Sequence, residues 1–147
     1  ILALALVQAI HGGKGFIFYS YFDFPRGPAG SEASPELAEK RWRNACMAAG
    51  ELKKLEPFLM AEQDGPVAET VKSEGKFRVR CFTDGAGNYR LLLAGVGPGR
   101  TSGTVRVKLP ENLTFRSRFG NTEQAAPGEF RFEGNDIACD IVELDRK

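Results

Sequence analysis

The stretch that most constrains this chain is Gly12-Gly13-Lys14-Gly15-Phe16-Ile17-Phe18-Tyr19-Ser20-Tyr21-Phe22-Asp23-Phe24, which changes character within a few residues. Its earlier part is apolar on both faces of any strand, and its later part is a cluster of aromatic rings carrying hydroxyls and one carboxylate. Strands read that way when both faces are covered, as in a parallel sheet wrapped by helices. Polar aromatics at the carboxyl end of such a strand lie where α/β folds hold their ligands. An apolar, helix-like segment precedes the run and a capped helix follows it, so the order is helix, buried strand, site-like end, helix.

At 147 residues and 42% hydrophobic content the chain is long enough to build a core. A formal net charge of +1 leaves no overall basic field to draw in nucleic acid or an anionic membrane, and neither is expected as a partner. The segment Ile1 to Ile10 has no basic residues ahead of it and no cleavage region, and it is too short to span a bilayer. It reads as a buried helix, with Leu2, Leu4, Leu6, Val7 and Ile10 covering much of its circumference. The absence of an initiating Met leads us to expect that the chain begins inside a longer gene product or has been processed. Cys46, Cys81 and Cys139 are odd in number and widely spaced, which indicates neither zinc nor a disulfide scaffold. Buried, inert thiols are expected, with a Cys81–Cys139 pairing left open.

The prolines and glycines from Asp23 to Ser31 mark a loop leaving the strand's carboxyl end. Ser34 then offers an N-cap hydroxyl, Pro35 suits the first helical position and Glu36 suits the positive helix start, predicting a helix from Pro35 to about Glu56. Leu37, Ala45, Cys46, Ala49, Leu52 and Leu55 form its apolar stripe, Glu39, Lys40, Arg43, Glu51, Lys53 and Lys54 face water, and Pro57 stops it. Past Asp64-Gly65-Pro66 the periodicity becomes alternating, and strands are predicted at Val67–Glu74, Lys76–Phe82, Tyr89–Val96, Gly103–Leu109, Leu113–Phe119, Glu129–Glu133 and Ile137–Leu144. The fold class expected is α+β, with two units, residues 1–62 and 63–147, the second an antiparallel β-sandwich.

The segment Ala9-Ile10-His11-Gly12-Gly13-Lys14-Gly15-Phe16-Ile17-Phe18-Tyr19-Ser20-Tyr21, followed by a loop, one long helix and a small all-β tail, resembles the carboxyl-terminal end of retaining glycoside hydrolases with a (β/α)8, or TIM, barrel. In that family a helix ending in Gly-Ala-Lys-Gly-like residues feeds the last barrel strand, often Gly-[Phe/Ile/Val]-x-[Phe/Tyr/Trp]-[Tyr/Trp]-Ser. The motif match covers the part before the linker, and the rest matches by architecture alone. The resemblance implies the last β/α unit of a barrel plus a carboxyl-terminal β-sandwich. The family places its acid/base and nucleophile carboxylates on earlier strands, so this chain is expected to lack the catalytic pair and to be inactive alone. Its sugar contacts would fall on Tyr19, Ser20, Tyr21 and Asp23. The implied partners are a carbohydrate substrate and either the upstream barrel of the same protein or a second copy of the chain. No cofactor and no metal are implied. The alternative is a non-catalytic β-sandwich module that binds carbohydrate or protein.

The remaining features read as structural. His11 suits the negative end of the first helix. Gly12-Gly13-Lys14-Gly15 precedes a strand, whereas a phosphate-binding loop follows one, and Gly95-Val96-Gly97-Pro98-Gly99-Arg100 reads as a turn between strands. Lys76, Arg78, Arg80, Arg106, Lys108, Arg116 and Arg118 alternate as a solvated sheet face would. Trp42 is expected to pack against the barrel or the β unit, and Asn112-Leu113-Thr114 matches the N-glycosylation pattern.

Overall fold

The computed structural model describes residues 1–15, 25–27 and 31–147. The candidate contact residues Tyr19, Ser20, Tyr21 and Asp23, with nearly all of the strand expected around them, lie outside the described residues. Among the described residues the architecture is α+β: two helices and one six-stranded antiparallel sheet. No helix among the described residues is long and apolar enough to cross a membrane.

Helix α1 (Leu2–Ile10) buries Leu2, Ala3, Ala5, Leu6, Ala9 and Ile10, while Leu4 is exposed. Helix α2 (Pro35–Leu59) begins as its sequence predicts: Leu37 N–H donates to Ser34 Oγ at 3.2 Å, and Pro35 occupies the first turn. Backbone and Ser34 hydrogen bonds hold the Glu36 carboxyl below its ordinary value. The end differs from expectation, because the helix passes through Pro57 to Leu59. A proline this close to the terminus forfeits one helical hydrogen bond, and Phe58 and Leu59, both buried, offset that loss. The buried stripe also differs. Ala45, Leu52 and Leu55 face the core together with Ala48 and Glu51, whereas Leu37, Cys46 and Ala49 are exposed. The turns of α2 up to residue 44 have no buried residue.

The strands are β1 (Ala68–Glu74), β2 (Phe77–Thr83), β3 (Tyr89–Val107), β4 (Leu113–Ser117), β5 (Thr122–Ala126) and β6 (Glu129–Arg146). Strands β3 and β6 pair along their lengths at the centre. Along the free edge of β3, β2 covers Tyr89 to Gly95 and β1 covers Ser102 to Val107. Along the free edge of β6, β4 covers Val142 to Arg146 and β5 covers Glu129 to Phe132. The expected pairs Tyr89–Val96 with Gly103–Leu109, and Glu129–Glu133 with Ile137–Leu144, are thus single long strands. Gly97-Pro98-Gly99 does not reverse the chain; it shifts register between Val96 and Arg100, and pairing with β6 resumes on the far side. Strand β5 was not predicted, since Glu123-Gln124-Ala125-Ala126 has weak strand character; the Pro127-Gly128 turn, with Gly128 at φ +73°, lays it against β6.

Leu91, Leu92, Leu93 and Ala94 are all inaccessible to water because the sheet is covered on both faces there. Leu92 and Ala94, with Ile141, pack beneath α1 and α2. Leu91 and Leu93 face the other way, into a cluster that also holds Val105 and Val107 from the far end of β3 and Phe130, Phe132, Val142 and Leu144 from both ends of β6. Within it the rings of Phe77 and Phe132 lie 5.5 Å apart and those of Phe115 and Phe130 6.0 Å. Cys81 belongs to this cluster and Cys139 packs on the helix side, so the two thiols face opposite ways and do not pair. Cys46 is exposed, contrary to expectation.

Candidate functional site

The described residues on either side of the aromatic run are held firmly. On the amino side α1 ends in paired backbone bonds, with Gly12 N–H donating to Ala9 C=O at 2.9 Å and Gly13 N–H to Gln8 C=O at 2.8 Å. This Schellman arrangement needs a left-handed residue after the cap, and Gly12 supplies it at φ +98°. His11 occupies the C-cap position and is exposed. Arg80 of β2 donates to Ile10 C=O at 3.4 Å, placing a cation at the negative end of α1, and lies 3.6 Å from Asp64 and 5.1 Å from the centre of the Phe82 ring. Lys14 lines a narrow recess with Asp64, Arg80 and Phe82.

On the carboxyl side the chain doubles back: Ala33 N–H donates to Pro25 C=O at 2.6 Å, and Arg26 bridges to Glu32. The Arg41 guanidinium of α2 donates to Arg26 C=O. Both ends of the run are therefore tied to helices packed on the same face of the sheet.

The basic residues read from the sequence as one alternating face do share the side of the sheet opposite Val105 and Phe130, but the helices cover part of it. Arg80 and Arg118 border the helices, whereas Arg106, toward the far end of β3, pairs with Glu129 at 3.1 Å. Arg118 donates to Glu51 of α2 at 2.8 Å and lies 3.7 Å from Glu143; Lys54 approaches Glu51 at 2.7 Å. Glu51, expected to face water, is buried. Desolvation pushes its pKa up, but hydrogen bonds from Lys54 and Arg118 and their charges outweigh it, and the carboxyl is held below its ordinary value. Arg90 lies 4.4 Å from the centre of the Phe58 ring and donates to Asp145 at 2.6 Å.

A second buried carboxylate shapes the passage between β4 and β5. Ser117 Oγ donates to Asp140 at 2.6 Å, and the N–H groups of Phe119, Asn121 and Ile141 donate at 3.0, 3.0 and 2.8 Å. Asn121 Nδ2 adds a bond to Cys139 C=O at 2.9 Å. Sequence reasoning missed Glu51 and Asp140. Their only signals were an acidic residue one helical turn from Leu55 and another between Cys139 and Ile141. Among the described residues no group of three or more His, Cys, Asp or Glu could hold a metal ion. No protein-family profile matches the chain, and comparison with curated proteins and with solved structures returns no match.

Proposed function

We propose that this chain is the carboxyl-terminal portion of a carbohydrate-active glycoside hydrolase, in which the run at residues 16–24 is the last strand of a (β/α)8 barrel. Tyr19, Ser20, Tyr21 and Asp23 contact sugar, with tyrosine rings against the apolar C–H faces of pyranoses and Asp23 accepting hydrogen bonds from hydroxyls. The catalytic carboxylate pair belongs to earlier strands, so the chain alone is inactive. In this reading the sheet doubles over as a β-sandwich along the level where β1 gives way to β2, β4 to β5, and β3 shifts register. The shared cluster of Leu91 and Leu93 with Val105 and Val107 supports that closure.

The observation that carries the proposal is the bracketing of the run, with α1 capped and gripped by Arg80 before it and the loop tied to Arg41 of α2 after it. That is the arrangement a β/α unit requires. Apolar side chains exposed at Ile1, Leu4 and Leu37 agree with a neighbour packing there. One observation favours a second reading, a self-contained binding module: Leu6 and Ala9 are fully covered by the chain's own α2 and sheet. Calorimetric titration of the chain with neutral oligosaccharides tests the site. Tyr21→Ala is expected to weaken binding at least tenfold with folding intact, and unchanged binding would remove the sugar role of the run.

A further inference from the structure

We infer that the outward face of the sheet half formed by β1, β5 and the adjoining ends of β3 and β6 carries a second saccharide-binding groove, remote in sequence from the run at residues 16–24. The strand register builds it. Lys72, Thr104, Arg131 and Glu123 stand opposite one another across four strands, and Ser102 opposes Glu133 in a neighbouring row. Alternation sends Val105 and Phe132 to the core and leaves these polar side chains along a groove of about 500 Å³. That volume is within the usual range for a small-molecule site.

The lining specifies the ligand class. Lys72 and Arg131 are offset by Glu123 and Glu133, which suits neither an anion nor a cation. Donors and acceptors alternate across strands about 4.8 Å apart, the width of one pyranose ring, and a sugar hydroxyl both donates and accepts. The charged groups are only weakly held: Arg131 stands 3.7 Å from Glu123, beyond hydrogen-bond reach, and the Arg100–Glu133 pair at 2.9 Å is exposed on both sides. Exposed pairs of this kind are weak, so a ligand displaces them at little cost. One wall, Gly120 and Asn121, belongs to the passage that Asp140 pins with hydrogen bonds to Phe119 and Asn121. A rigid wall lowers the ordering cost of binding.

The inference extends the carbohydrate reading to a second place and rests on that reading for its probes. The full chain, the double variant Arg131→Ala/Glu133→Ala and Tyr21→Ala are each titrated calorimetrically with cello-, xylo-, manno- and maltohexaose, with circular dichroism confirming the fold. The groove variant is expected to weaken at least one hexaose tenfold or more, while Tyr21→Ala leaves that component in place. Binding lost on Tyr21→Ala and untouched in the groove variant would overturn the groove and leave the proposed function standing. Binding lost in the groove variant alone would establish the groove and remove the sugar role of the run. No binding of any hexaose by the parent chain would overturn the groove.

Discussion

Four donors converge on Asp140, and none of its surface reaches water. Replacing it with Ala removes the acceptor shared by the hydroxyl of Ser117 and the N–H groups of Phe119, Asn121 and Ile141. Asp140→Ala is expected to lower stability by about 3 kcal/mol in urea titration, with Asp140→Asn lowering it less because its amide oxygen still accepts. Glu51 does a different task, fastening α2 to the sheet through Arg118. Glu51→Gln is expected to cost about 2 kcal/mol near neutral pH. Because the folded carboxyl titrates below its ordinary value of 4.5, its contribution is present above that value and is lost as pH falls through the lower, folded one. The gap in urea midpoint between parent and variant should therefore close in acid.

At the scale of elements, the start of α2 was legible because Ser34-Pro35-Glu36 is a local instruction that needs no partner. Its end was not: whether Pro57 stops a helix depends on what Phe58 and Leu59 bury. The same contrast governs the strands. Alternation marked β1, β2, β4 and both ends of β3 and β6, but a Gly-Pro-Gly segment reads identically whether it reverses a strand or shifts its register, and only pairing with β6 decides. The cap of α1 rests on Gly12 at φ +98°, where a Cβ would meet nothing closer than Arg80 Nη1 at 3.8 Å. The strain of Gly12→Ala is thus conformational, and a loss of about 1 kcal/mol is expected in thermal or urea unfolding. A variant as stable as the parent would show that the Schellman end does not anchor the run.

For the whole molecule, the three thiols report the layering. Cys46 should react with a thiol reagent in the folded protein, the half-buried Cys139 more slowly, and Cys81 only on unfolding. Burial pushes Cys81 up to about 12, and burial with the nearby Asp140 pushes Cys139 up to about 11, from an ordinary 9.0. Both values are raised, so the stabilisation is complete below pH 9.0 and declines as pH climbs toward the folded values. Unfolding midpoints should accordingly fall above that pH, and less steeply in Cys81→Ser, since serine does not ionise there. By itself the sequence determined what short-range rules can carry: the helix start, the turns at Asp84–Asn88 and between Leu109 and Leu113, most strand positions and the α+β class. Only tertiary structure decided that the sheet is buried on both faces at Leu91-Leu92-Leu93-Ala94, and that Arg80 and Arg118 serve the helices while Arg106 pairs with Glu129 beyond them. It also decided that Lys72, Thr104, Arg131 and Glu123 meet in one row. The reason is that register and layer assignment depend on contacts between residues far apart in the chain, which leave no periodic trace in any one segment.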